Sequence, residues 1–356
     1  MRAKFPFYKA DGKPILLLND IQNKAVKDVI SKIATSEYKL KPILCLCGSD
    51  GDGDVVVSEK DRFGFTLPQI LCSKCGLIRS GENFDENSLI KFYKNEYRAI
   101  YSSQKNIPTE YFMAQCRRGK AFSMLMKTHI SLDHDAAICE IGCGAGGILQ
   151  SVKEAGWSNI LGVDFGAAYV DYGISKGLNL RCGDYSEVVE DNSQDLIILS
   201  HVMEHFLDPV REMINVLEKV SPSGYLLVEV PSIESIPDYT FELIDYFQNA
   251  HIYNFHKKFL DVFFRKLGLD VKYGDERSTF ILQKPMNWKK PDKAVLRGIY
   301  SDELCGESER IKKIIIQYYN EKRFNINFWK RKLYPILIAN PALRKSLSYM
   351  KGRLVG

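Results

Sequence analysis

Between Ala136 and Gln283 the chain alternates short, almost wholly apolar runs with longer stretches in which apolar residues recur at helical spacing. The short runs are AAICEI at 136–141, NILGVD at 159–164, a brief one near Leu178–Cys182, QDLIILSH at 194–201 and GYLLVEVP at 224–231. Runs that are apolar on both alternating faces predict parallel strands covered on both sides, and the stretches between them, such as ILQSVKEAGW, predict the covering helices. The expected fold class is therefore α/β. Further along, AHIYNFHKKFLDVFFRKLGL predicts a helix opened by His256. Upstream, Tyr93, Tyr97 and Tyr101 recur every four residues, a spacing that places them on one helix face.

The first strand runs into a turn containing Gly142, Gly144, Gly146 and Gly147, and a helix follows. Strand, glycine turn and helix in that order form a nucleotide-binding corner. Gly142, Gly144 and Gly147 also satisfy the dinucleotide pattern GxGxxG. Glu140 separates the two readings: an acid at the strand end repels a pyrophosphate but favours the ammonium and sulfonium groups of S-adenosylmethionine. Asp164, closing the second strand, is placed to accept the ribose hydroxyls, and Phe165 to lie against the adenine. Asp184 is placed to accept from the adenine amino group. Cys143 of the turn, Tyr185 and Ser200 complete the cofactor side. The fourth strand also delivers His201, Glu204 and His205 to the edge where a methyl group would be transferred. His201 is expected as the base for a hydroxyl acceptor, because a neutral imidazole with an ordinary pKa suits that task. His251 lies downstream as a further catalytic candidate.

Cys45 and Cys47, then Cys72 and Cys75, form two close pairs separated by a polar, glycine-rich stretch. Four thiolates so arranged predict a tetrahedral zinc site, structural because its coordination is closed. The residues between, including Asp61-Arg62-Phe63-Gly64-Phe65, predict a hairpin closed at its base by the metal, with glycine N–H groups turned toward the thiolates.

The order EIGCGAGG, GVD, CGD, SHVMEH resembles the class I S-adenosylmethionine-dependent methyltransferases over about Ala136 to Lys284. That resemblance implies a Rossmann-like sheet of seven strands with the last antiparallel, for which TFILQ at 279–283 fits. It places the cofactor on Glu140, Gly142, Gly144, Asp164 and Asp184. The runs SEYKLKPILCLCGSD, DRFGF and LCSKCGLIRSGENFDENSLIKFYKNEYRAIY resemble the N-terminal, zinc-binding part of methyltransferases of bacterial surface-polysaccharide and deoxysugar pathways. This likeness extends through QCRRGK, where Arg118 is a candidate for the methionine carboxylate. It implies O-methylation of a sugar hydroxyl, with C- or N-methylation of a nucleotide-linked deoxysugar as alternative, and a non-catalytic binding or scaffold protein as the alternative of another class. The HxxEH segment also resembles the ExxEH motif of ubiquinone and small-RNA O-methyltransferases, which implies a possible second divalent metal at the active site, although His201 replaces the first Glu. The expected organisation is an N-terminal helix and zinc module over 1–95, a helical lead-in over 96–130, the methyltransferase core over 131–285 and a basic helical extension over 286–356.

Composition alters this picture little. Of 356 residues 45% are apolar, no run approaches the roughly 20 residues that span a bilayer, and MRAKFPFYKADGKP lacks the apolar core of a secretion signal. Nine cysteines without a disulfide pattern suit a reducing compartment, so a cytoplasmic location is expected. The net charge of +5 is concentrated in the tail, where cations from Arg310 onward mix with Tyr318, Tyr319, Phe324, Phe328, Trp329 and Tyr334. Such a segment predicts peripheral contact with an anionic membrane or with a nucleotide- or lipid-linked glycan acceptor. Nucleic acid is not expected as a partner, since no RNA-binding motif accompanies the charge.

Overall fold

The computed structural model describes residues 5–101, 109–238, 242–292, 298–299 and 302–323. In chain order its strands are β1 Leu40–Pro42, β2 Val55–Ser58, β3 Gln69–Leu71, β4 Ile78–Ser80, β5 Glu82–Phe84, β6 Ile138–Ile141 and β7 Ile160–Asp164. They continue with β8 Leu180–Cys182, β9 Gln194–Ser200, β10 Val220–Glu229, β11 Tyr253–Asn254, β12 Asp270–Gly274 and β13 Thr279–Gln283. The large sheet has seven strands in the order β12-β13-β10-β9-β6-β7-β8. Strands β6 to β10 form the parallel part, paired in the order β10-β9-β6-β7-β8, while β13 runs antiparallel to both β10 and β12. The antiparallel last strand is therefore present at TFILQ. After β8 the chain returns to the other side of β6, and this reversal opens a crevice at the carboxyl ends of β6 and β9.

The apolar runs are continuous because successive residues bury into opposite layers. Ile138, Ile198, Leu227 and Ile281 pack under the helices Thr109–His129 and Gly147–Glu154, with Phe122, Met126, Leu149 and Val152. Their neighbours Cys139, Ile197, Leu226 and Leu282 face the helices Pro209–Lys219 and Lys257–Lys266, with Leu217, Phe259 and Phe263. Gly119 is where the first two helices cross: a Cβ there would lie 2.6 Å from Ile148 O, so a larger residue would force them apart. Strand β10 begins earlier than its sequence pattern predicts, at Val220, with a register irregularity before Tyr225.

The four-cysteine region is not self-contained. Its sheet has the order β11-β4-β3-β2, and β11 comes from the core, with Tyr253 opposite Arg79 and Asn254 opposite Ile78. β2 and β3 form the expected hairpin. The helix Glu307–Arg323 corrects part of the reading of the tail. Its Ile311, Ile315 and Tyr318 are buried with Val57, Leu71, Ile78 and Phe247, and Tyr319 stacks on Phe7 with ring centroids 4.1 Å apart. This apolar face covers the core and is not available to a membrane. Phe324, Phe328, Trp329, Tyr334 and the rest of 324–356 lie outside the described residues. Among the described residues no helix is long and apolar enough to cross a membrane.

Candidate active site

The glycine turn is tied to the neighbouring strand: Gly142 N and Cys143 N donate to Val163 O at 2.8 and 3.1 Å. Asp164, at the end of that strand, accepts from Gly144 N at 2.9 Å and Gly166 N at 2.7 Å. Arg98 Nη2 donates to the same carboxylate at 3.0 Å while its guanidinium lies 4.0 Å from the Tyr169 ring centroid. Gln115 clips the turn from above, donating to Cys143 O at 3.0 Å and accepting from Gly147 N at 3.3 Å. Gly144 has φ +55°, and a Cβ there would lie 2.6 Å from Tyr111 Oη, so the turn needs glycine for both conformation and space.

Glu140 is 1% exposed and its Oε2 has no hydrogen-bond partner. Burial, and then the nearby Asp164 carboxylate, push its pKa well above the usual carboxylate range. Arg118 offsets this only in part, and the free Oε2 is open to a donor such as the ammonium group of S-adenosylmethionine, so the residues fit that cofactor.

Other expected cofactor residues are placed differently. Cys143 is fully buried with its Sγ toward the core, 2.8 Å from where a Gly162 Cβ would stand, so it can offer a ligand only its backbone. Gly146 is required by packing, since a Cβ would meet Leu178 at 2.8 Å. Asp184 caps the short helix Tyr185–Val188 by accepting from Ser186 N at 2.9 Å, and Tyr185 Oη donates to Glu212 Oε2 at 3.3 Å. Phe165 is 72% exposed beside Asp164, open to stacking. Arg118 Nε lies 2.8 Å from Glu229 Oε2, and Ser200 Oγ donates to the same oxygen at 3.0 Å. Both therefore converge on an acid that the sequence reading passed over. Glu229 closes GYLLVEVP as Asp164 closes NILGVD, so the same strand-end signal was present.

Past β9 the chain enters the 3-10 turn Met203–His205, with His201 in the left-handed region at φ +56°. His201 Nδ1 lies 3.4 Å from Glu204 Oε1 and its Nε2 3.4 Å from Glu229 Oε2. Burial alone would lower its pKa, but the two carboxylates outweigh that and raise it to about 9. This corrects the expected base: between two carboxylates His201 carries its proton at neutral pH and cannot accept another. Arg118, His201 and Ser200 in turn hold the Glu229 carboxyl below its usual value, although burial acts the other way.

Glu204 is 1% exposed, and the groups nearest its carboxylate are imidazoles, His201 Nδ1 standing 3.4 Å from Oε1. His205 Nε2 lies 3.8 Å and His251 Nε2 3.7 Å from its Oε1. His205 Nδ1 is 2.9 Å from Ala250 O, a contact that requires the proton on Nδ1 and leaves Nε2 with its lone pair. Burial lowers the pKa of both imidazoles, further for His251. Tyr93 Oη is 3.0 Å from His205 Nδ1. The Tyr93, Tyr97 and Tyr101 rings follow one another at 4.8 and 4.5 Å, forming a half-buried aromatic wall beside His205. The stripe thus faces the histidines, while its neighbour Arg98 faces Asp164.

The four cysteines converge as expected: Cys45 Sγ is 3.5 Å from Cys75 Sγ and 3.4 Å from Cys47 Sγ, and Cys47 Sγ is 3.6 Å from Cys72 Sγ. Tetrahedral zinc with thiolates at about 2.3 Å requires S–S separations of about 3.8 Å, so the set fits that ion. The glycine N–H groups of Gly48 and Gly76 donate to the carbonyls of Cys45 and Cys72.

Residues 113–273 match the family model described as a methyltransferase domain. The matched span runs from within the helix Thr109–His129 into β12, leaving outside it the cysteine region and the two helices that carry the tyrosines, Glu86–Asn95 and Tyr97–Tyr101. No curated protein matches the chain. Among solved structures it is similar to an S-adenosylmethionine-dependent methyltransferase from Mesorhizobium loti, with 19% identity over 32% of this chain and 55% of that one, TM-score 0.29. It is also similar to one from Archaeoglobus fulgidus, with 23% identity over 58% and 90%, TM-score 0.38. A third is phosphoethanolamine N-methyltransferase 1 of Haemonchus contortus, with 13% identity over 61% and 52%, TM-score 0.42. The chain spans about half the length of the first solved structures it matches.

Proposed function

We propose that this protein is an S-adenosylmethionine-dependent methyltransferase that methylates a hydroxyl of a sugar, carried on a nucleotide or on a growing surface glycan of a bacterial envelope. The observation that carries the reading is the cluster at the carboxyl edge of β9, where two imidazoles of lowered pKa and His201 surround the buried Glu204 beside an aromatic wall. Stacked tyrosines offer an apolar face with polar tips, which suits a ring bearing both C–H faces and hydroxyls. S-adenosylmethionine, when bound, supplies an electrophilic methyl group. His205 is the base: its Nδ1–H is committed to Ala250 O, so its Nε2 takes the hydroxyl proton as the oxygen attacks. Glu204 then faces the imidazolium that forms and stabilises it. His201 remains protonated between Glu204 and Glu229 and fixes both acids.

A second reading has a specific observation in its favour. Ligand atoms of Glu204, His205 and His251 all lie within 4.8 Å of one another, a set that could hold a divalent cation and acidify the hydroxyl. It requires the Gln248 amide, whose Nε2 stands 2.6 Å from His251 Nε2, to swing away. Metal analysis separates the two: one zinc per chain supports the base reading, whereas a second equivalent lost in Glu204→Gln supports the metal.

Labelled cofactor incubated with pools of nucleotide sugars and envelope glycans, followed by mass spectrometry, tests the acceptor. Label on a sugar oxygen is expected. Label on carbon, on an amino nitrogen, on protein or on RNA would replace the proposal.

A further inference from the structure

The segment 248–252, which carries His251 and presents Ala250 O to His205, is held largely from outside the core. Asn249 N donates to Asp61 Oδ2 at 2.9 Å, and Asn249 O accepts from Asn83 Nδ2 at 2.9 Å. Tyr101 Oη donates to Asn249 Oδ1 at 2.7 Å. Arg62 Nη2 donates to Gln248 Oε1 at 2.7 Å, which turns the other end of that amide, Nε2, onto the His251 ring at 2.6 Å. Every one of these partners belongs to the cysteine region or to the helix Tyr97–Tyr101 that follows it. Asp61 itself is 0% exposed, and its other oxygen accepts from Phe63 N and Phe65 N at 2.9 Å each. It therefore ties the tip of the β2–β3 hairpin to the histidine segment in one buried carboxylate, while the base of that hairpin leads into Cys72 and Cys75.

We infer that the cysteine module is a positioning element of the acceptor site, with Asp61 setting the backbone that presents Ala250 O to His205, and Arg62 setting the His251 ring through Gln248. The inference rests on the reading of His205 and His251 as the acceptor-side groups, but its structural content does not depend on the acceptor. A carboxylate with three backbone donors cannot be replaced by an amide without facing one N–H with another donor. Asp61→Asn thus displaces Asn249 while keeping the side-chain volume. Arg62→Gln removes the guanidinium that orients Gln248 but leaves the hairpin backbone intact.

The chain has six histidines, few enough for each ring to be followed by histidine-selective labelling and NMR. In full-length, zinc-loaded protein, Asp61→Asn is expected to shift the ring signals of His205 and His251, and Arg62→Gln chiefly that of His251. His129 and His134 should keep their positions, and the affinity for S-adenosylmethionine by calorimetry should stay within about twofold. In labelled-cofactor assays kcat should fall at least about tenfold, the scale expected when a positioned base is lost in part. Lysine at Arg62 should recover part of both the signal and the rate. Unmoved His205 and His251 signals in a folded Asp61→Asn variant would overturn the inference. If that variant does not fold, an unmoved His251 signal in Arg62→Gln overturns it equally. A merely structural role would lower the melting temperature and leave the histidine signals of the folded protein unchanged, which is also a refutation. Shifted signals together with full turnover in His205→Gln would leave the coupling standing and remove only the acceptor reading.

Discussion

His201 shows how far one side chain's chemistry depends on its surroundings. A histidine at a strand end is an obvious base until Glu204 and Glu229 are placed on its two nitrogens. Its folded pKa, raised to about 9, lies above the unfolded value near 6.5. The stability it contributes is therefore fully present below about pH 6.5 and is lost as pH rises through about 9. With 33% of the side chain exposed, the loss should be on the order of 1 kcal/mol after solvent screening. Denaturant titrations across that window should show the decline in wild type and a flatter profile in His201→Gln. The neighbouring histidine has the opposite character. His205→Gln should reduce kcat by about 10²–10⁴-fold, the usual worth of a general base, while cofactor affinity by calorimetry is unchanged. Near-normal turnover in that variant would return the search to His251.

Two elements changed meaning once their packing was known. The helix Glu307–Arg323 opens a strongly cationic tail, yet its Ile311, Ile315 and Tyr318 complete a core with β2, β3 and β4. Ile315→Ala should consequently lower unfolding stability by about 2–4 kcal/mol, as expected for a buried large-to-small change. A cost near zero in denaturant melts would show that this face is dispensable. The hairpin between the cysteine pairs is the second case. Small modules of this kind fold with their metal, so Cys72→Ser should abolish stoichiometric zinc by elemental analysis and lower the melting temperature by several degrees. Unaltered zinc content would disqualify the cysteine set. Because β11 pairs with β4, the loss should be transmitted to the core rather than confined to the N-terminal region.

For the whole molecule, the sheet, its glycine turn and its strand-end acids were legible in the sequence because they rest on local rules. Strands buried on both faces read as unbroken apolar runs, a glycine turn needs its conformations wherever it occurs, and acids such as Glu140 and Asp164 sit at strand ends whatever lies across from them. The four cysteines were legible for the same reason, since thiolate pairs at short spacing have few other uses. Glu229 followed the same strand-end rule and could have been found by it. Other features left no local trace. Arg98 reaches Asp164 across 66 positions and Asp61 reaches Asn249 across 188, and no periodicity encodes such meetings. The amino-acid order by itself thus determined the α/β sheet, the glycine turn and the thiolate set. Only the tertiary structure decided that His201 lies between two carboxylates, that His205 turns its Nδ1 to Ala250 O, and that the cysteine hairpin braces the segment carrying His251. Burial and charge pairing set those properties, and both arise only when distant parts of the chain exclude water together.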